Sequence, residues 1–161
     1  MKKLTTIFTA LLLFLLSSSF AYDTSVSAKI QSVFEKDFTA CSDVKWTQYE
    51  DVYIATFKSH ELYLTAAYND AGELLAVTRY ITISQLPLKV YRALQEKYST
   101  YTIDPNVIEL TGEQTSYFIN VENEKFIFQI KVDASGYPTI AKRTKKKATN
   151  TAATTTNVIL T

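Results

Sequence analysis

Apolar residues recur four apart in two places along the chain. Val26, Ile30, Phe34 and Phe38 form the first stripe, with Lys29, Glu35, Lys36 and Asp37 off it, so the spacing predicts an amphipathic helix over Ser25 to Phe38. Leu86, Val90, Leu94 and Tyr98 repeat the arithmetic and predict a second helix over Ser84 to Tyr98. There Ser84 is the expected N-cap and Pro87 falls in the first turn, where a missing N–H costs little. "FEKDF" and "LQEKY" close the two helices in equivalent places.

After each helix the period changes from four to two. The first half predicts strands at Val44 to Tyr49, Val52 to Lys58, Leu62 to Tyr68 and Leu74 to Thr82. The second predicts them at Tyr101 to Leu110, Thr115 to Glu122, Lys125 to Val132 and Pro138 to Arg143. Glu50-Asp51, Ser59-His60-Glu61, Thr111-Gly112-Glu113 and Asn123-Glu124 are short enough for hairpins. Asp70-Ala71-Gly72 fits a type I turn ending in a left-handed glycine, with Asp70 bonding the turn backbone. Asp133-Ala134-Ser135-Gly136 does the same with one extra residue. The chain therefore reads as a helix plus four antiparallel strands, twice.

Alternation assigns faces. Phe126, Phe128, Ile130 and Val132 point one way and Lys125, Gln129 and Lys131 the other; Tyr117, Ile119 and Val121 likewise oppose Ser116 and Asn120. Leu62, Leu64 and Ala66 are expected to face the helices, leaving Tyr63, Thr65 and Ala67 on the opposite side. Trp46 is expected in the core against the first helix. Arg79 is anomalous on an apolar strand and needs either a tyrosine to stack on or a carboxylate.

The ends read differently. "MKKL", the apolar run Ile7 to Leu16 and Ser19-Phe20-Ala21 are expected to be a signal peptide cut after Ala21, so residues 1–21 stand outside the fold and the mature protein is exported, periplasmic or secreted. The apolar run is shorter than the roughly 20 residues that span a bilayer, so no integral membrane segment is expected after cleavage. The domain occupies residues 22–144, and the Thr- and Ala-rich tail 145–161, with the basic cluster Lys145 to Lys147, is expected to be disordered.

Losing Lys2 and Lys3 takes the formal charge from +1 to −1, so nothing electrostatic draws the domain to nucleic acid. An aromatic share of 13% beside only three glycines and three prolines favours long strands and short turns. Cys41 is the only cysteine, so an internal disulfide is impossible; it is expected to be a partly buried apolar residue at the end of the first helix.

The ordered set W-x-x-Y-x-x-x-Y-x-A-x-F (Trp46 to Phe57), YNDAGELLAVTRYI, Leu86-Pro87, Lys97-Tyr98 and YFINVE (Tyr117 to Glu122) resembles PepSY-like, β-lactamase-inhibitor-like exported proteins of the Bacteroidetes type, over Ser25 to Arg143. The resemblance implies an α+β fold: a tandem α-plus-four-strand repeat with two helices packed on one face of a continuous antiparallel sheet. In the inhibitor that gives this architecture its name, the other, concave sheet face grips an enzyme. The resemblance marks no binding residue.

Catalytic chemistry has little to work with. His60 is the only histidine and lies in a polar turn. No His or Cys stands at metal-ligand spacing, no carboxylates pair on neighbouring strands, and the glycines lie in separate turns rather than a phosphate loop. The expectation is a monomeric non-enzyme without cofactor or metal. It would use the open sheet face, through Tyr63, Tyr80, Phe118 and Ile127, to hold a protein or peptide, with inhibition of a peptidase or other enzyme as one form. The alternative is a small-ligand or envelope-stress component with a pocket between sheet and helices.

Overall fold

The computed structural model describes residues 26–147. The expected signal peptide and the tail beyond Lys147 lie outside them. Eight strands form one antiparallel sheet in chain order, β1 (Cys41–Tyr49), β2 (Val52–Ser59), β3 (Leu62–Asn69), β4 (Leu74–Thr82), β5 (Thr102–Thr111), β6 (Ser116–Glu122), β7 (Phe126–Asp133) and β8 (Pro138–Lys145). Helix α1 (Ala28–Asp37) precedes β1, and α2 (Leu88–Tyr98) lies between β4 and β5. All eight strands and both helices stand where the hydrophobic periods place them.

The helices begin later than expected. Ser27 caps α1, its Oγ accepting the Ile30 N–H at 3.4 Å. Pro87 itself occupies the N-cap of α2, and Ser84 belongs to a separate 3-10 turn, Ile83–Gln85, in which the Gln85 side chain accepts the Thr82 N–H at 2.8 Å. Both apolar stripes still turn inward as expected, with Val26 and Leu86 packing from just upstream of the two caps and Phe38 only half-buried.

The two helices lie on one face of the sheet over separate cores. Ile30 and Phe34 of α1 pack with Ala55, Phe57, Ala66 and Tyr68. Val90, Leu94 and Tyr98 of α2 pack with Val107, Ile119, Ile130 and Val132. Trp46 meets Phe34 edge-on at 5.3 Å, as the sequence suggests. Cys41 is half-buried but opens β1 instead of ending the helix, its thiol donating to the Phe38 carbonyl at 3.5 Å.

The repeated turns are more alike than the sequence reading has them. Asn69 and Asp133 are equivalent, so the two loops have the same length. In each, a glycine N–H (Gly72, Gly136) donates to that residue's carbonyl at 3.0 Å. The side chain that bonds the turn is Asn69 rather than Asp70: its Oδ1 accepts the Glu73 N–H at 2.9 Å. Asp133 Oδ1 takes the Ser135 hydroxyl at 2.6 Å and the Ser135 and Tyr137 N–H groups, and these bonds hold its carboxyl below the usual range. Each glycine has positive φ and lies against its own repeat's helix, Gly72 near Lys29 and Val33 and Gly136 near Lys89. The turns recur because each tucks under a helix.

One turn is chemically mismatched. His60 (φ 47°) and Glu61 (φ 66°) form the two-residue link between paired Ser59 and Leu62, and both adopt the left-handed conformation that favours Asn-Gly. Each side chain there costs about 1 kcal/mol. A His60→Asn, Glu61→Gly protein is expected to gain roughly 1–2 kcal/mol in a urea melt. An unchanged midpoint would mean that the Lys58–Glu61 ion pair, 2.8 Å apart, offsets the strain.

The basic end is partly structural. Strand β8 runs through Lys145, past the expected end at Arg143, and Lys146 donates its N–H to the Lys125 carbonyl at 2.9 Å. Lys146 Nζ also reaches Glu122 at 3.0 Å, and the Arg143 guanidinium lies 3.7 Å over the Phe126 ring.

Candidate functional site

The sheet face away from the helices is built by register. Thr56 pairs with Thr65, Thr65 with Thr78, Thr78 with Leu110 and Leu110 with Ser116, giving a cross-strand row of small hydroxyls interrupted by one leucine. Beside it Ile54, Ala67 and Ala76 form a second row, and Tyr80, Ile108 and Phe118 a third. Continuing the Leu64–Arg79 register by one residue sets Tyr63 opposite Tyr80.

Tyr63 and Tyr80 are 64% and 55% exposed, on the expected face. Phe118 shares that face but is only 3% exposed, against the expectation of an exposed ring. Ile127 is 36% exposed and lies four residues from Lys131, the partner of Phe118, or about 13 Å along β7. The structure thus brings Tyr63, Tyr80 and Phe118 together and leaves Ile127 apart.

Sequence reasoning missed the floor between them. Ile54, Ala67, Ala76, Leu110 and Phe118 form a buried cluster on the open face, to which both repeats contribute. Its signal was present: β2 (VYIATF) and β6 (SYFINV) carry apolar residues at both parities, which marks strands buried on two sides. Two polar atoms on this face, Thr47 Oγ1 and Gln129 Oε1, are buried and have no hydrogen-bond partner among the described residues.

Arg79 points to the helix side, between Val77 of the α1 core and Ile81 of the α2 core. It pairs with Glu109 directly across the ladder, which selects the carboxylate over the stacking option. Tyr117 pairs with Glu109 across the β5–β6 ladder, and burial together with the Glu109 charge raises the pKa of its hydroxyl. This ion pair fills the gap where neither helix supplies apolar cover.

A cleft of about 550 Å³ opens between the end of α1 and edge strand β1, lined by Phe34, Glu35, Phe38, Cys41, Val44 and Trp46 among others. His60 is exposed beside Ser59, with Oγ 3.1 Å from Nδ1. Among the described residues no three His, Cys, Asp or Glu side chains converge, and no helix is long and apolar enough to cross a membrane.

No protein-family model and no curated protein matches the sequence. Solved structures do. A DUF2874 family protein from Bacteroides ovatus aligns with TM-score 0.65 at 20% identity, covering 76% of this chain and 89% of the other. A protein from Bacteroides eggerthii, named as a candidate periplasmic protein, gives 0.65 at 16%, covering 76% and 90%. A BLIP-like protein from Bacteroides fragilis gives 0.63 at 18%, covering 80% and 92%. These likenesses bear out the inhibitor-like side of the resemblance and not PepSY specifically, and at such identities what they establish is the fold: two helices on one face of a single eight-stranded antiparallel sheet, as in a BLIP-like protein.

Proposed function

We propose that the protein is a non-catalytic binding protein of the cell envelope that holds a protein or peptide on its open sheet face. The observation that carries this reading is the pairing of exposed Tyr63 and Tyr80 beside an apolar floor at Ile108, Leu110 and Phe118. Exposed tyrosines are among the residue types enriched at interface hot spots. The BLIP-like and candidate periplasmic neighbours agree with it, as does an expected signal peptide. With His60 exposed in a turn and no three His, Cys, Asp or Glu side chains converging among the described residues, the reading invokes no catalysis.

The test is capture from an envelope fraction with mature protein beginning at Tyr22, beside a folded Tyr63→Ser, Tyr80→Ser variant. The purified partner is then titrated against both. Hot-spot tyrosines are expected to cost at least about 2 kcal/mol each, or roughly 30-fold in affinity. Equal affinity for both proteins would place binding elsewhere. The cleft beside Trp46 favours a second reading, a small apolar ligand. That reading predicts a thermal shift with an envelope metabolite that survives the tyrosine substitutions and is lost when Val44→Asp charges the cleft.

A further inference from the structure

The two edges of the sheet are finished differently. At one, β8 carries Pro138, Lys142, Arg143 and Lys145, and proline and charge keep a sheet edge from pairing further. At the other, β1 pairs with β2 alone among the described residues. A bulge between Ser42 and Lys45, with Asp43 at positive φ, disrupts only its start. From Lys45 to Tyr49 the register with β2 is unbroken, and Lys45 is the only charged residue of that run. The two-residue turn Glu50-Asp51 closes on the Tyr49–Val52 pair, so Tyr49 and Thr47 bond inward. The N–H and C=O groups of Trp46 and Gln48 therefore point out of the sheet.

We propose that this edge takes an extended peptide as a further strand, with one large apolar side chain of the peptide in the cleft beside Trp46 and basic residues flanking it. The cleft lies on the helix side of the edge, since Trp46 faces α1 with its ring 5.3 Å from Phe34. A strand added about 4.8 Å outside β1 turns alternate side chains to that side. There Phe34, Phe38, Val44 and Trp46 line the opening, and about 550 Å³ leaves room for a phenylalanine or leucine side chain. Main-chain bonds to the edge supply affinity, and the cleft selects the side chain.

Charge sets the sign of the peptide. Glu35 lines the cleft, Asp43 stands in the bulge, and Glu50 and Asp51 form the turn that ends β1. All four are exposed, and none has an ion-pair partner among the described residues. Lys45, the one cation of the strand, shares the open face with Thr56 and so turns away from the cleft. Carboxylates around an apolar opening favour a basic sequence and reject an acidic one. The edge is distinct from Tyr63 and Tyr80, so the inference goes beyond the open-face reading and does not depend on it.

The probe is the peptide acetyl-TKVFVKT-amide, titrated into mature protein beginning at Tyr22 and followed by the fluorescence of Trp46, the only tryptophan. Saturable binding is expected. It should weaken at least about ten-fold when the peptide's phenylalanine becomes alanine, and again when its lysines become glutamates. N-methylation of alternate peptide residues, in each of the two phases, should abolish binding in one phase and leave it in the other, because a strand offers only every second N–H to its neighbour. Gln48→Pro removes an outward N–H and no bond to β2, so it should abolish binding while the protein stays folded. If that variant unfolds, the methylated peptides decide. Absence of saturable binding overturns the proposal. Equal binding in both phases overturns it too and leaves the cleft to a small apolar ligand. A wild-type dimer that Gln48→Pro turns into monomer overturns it in favour of a second copy on the edge. Binding lost in the folded Tyr63→Ser, Tyr80→Ser variant overturns it by placing the peptide on the open face, and unchanged binding there supports a separate site. Failure of the peptide leaves the capture test of the open face standing.

Discussion

A Phe57→Ala protein is expected to lose about 3–5 kcal/mol of stability, a large share of the 5–15 kcal/mol typical of a domain. Phe57 is buried beneath α1, with its ring 5.0 Å from Phe34 and 4.8 Å from Phe38. Those neighbours are held by the helix and by Trp46, so the hole cannot close by small movements. The substitution also tests whether the two repeats unfold together. Their helix-side cores are separate, but six residue pairs join β4 to β5, and Leu110 of the second repeat packs with Ile54, Ala67 and Ala76 of the first. One transition is therefore expected. Trp46 is the only tryptophan and reports the first repeat, whereas far-ultraviolet circular dichroism reports both. The two signals should move to lower urea together. A fluorescence transition that shifts while part of the dichroism stays behind would show two independent units.

Alkaline pH should unfold the protein steeply, because three buried phenols resist ionisation. Burial raises the pKa of Tyr68, with the Asp37 carboxylate adding to it through charge and a 3.1 Å hydrogen bond. Burial raises Tyr98, helped by Tyr101, and raises Tyr117, helped by Glu109 against an opposing effect of Arg79. A tyrosine in the unfolded chain loses its proton near pH 10. The folded protein holds these protons to higher pH, so their contribution is complete below the unfolded value and is lost as pH rises towards the folded ones. Each contributes about 1.4 kcal/mol per pH unit in that window, and three together about 4. Urea midpoints measured upward from about pH 9 should fall accordingly. Tyr68→Phe should remove about a third of the slope, at the cost of a hydrogen bond at neutral pH. Tyr137→Phe, at an exposed position, is the control. The same slope in both variants would refute the argument.

These two predictions depend on different amounts of tertiary information. That Phe57 is core follows from alternation with Thr56 and Lys58 on one strand. That Tyr68 and Tyr117 are wrapped with carboxylates follows only from contacts 31 residues apart for Asp37 and across the ladder for Glu109. Arg79 shows the boundary between the two. Its sequence context demanded a partner, and the choice of Glu109 waited on the β4–β5 register.

The candidate site was legible in the same graded way. Tyr63 and Tyr80 lie on the face that alternation gives them, because alternation within a strand fixes which face a residue takes. Phe118 lies on the expected face but is buried, since alternation fixes the face of a side chain and not its exposure. Asn69 takes the role expected of Asp70 because turn chemistry depends on which residue closes the hairpin, and a one-residue offset in pairing exchanges their roles.

By itself, the sequence determined two helices, eight strands, their order and the face each strand turns inward, all of them properties of local period. The tertiary structure alone decided the pairing registers, the gathering of Ile54, Ala67, Leu110 and Phe118 into one floor, and the partner of Arg79. Those features join residues far apart in the chain, and their energies arise only when the strands are side by side.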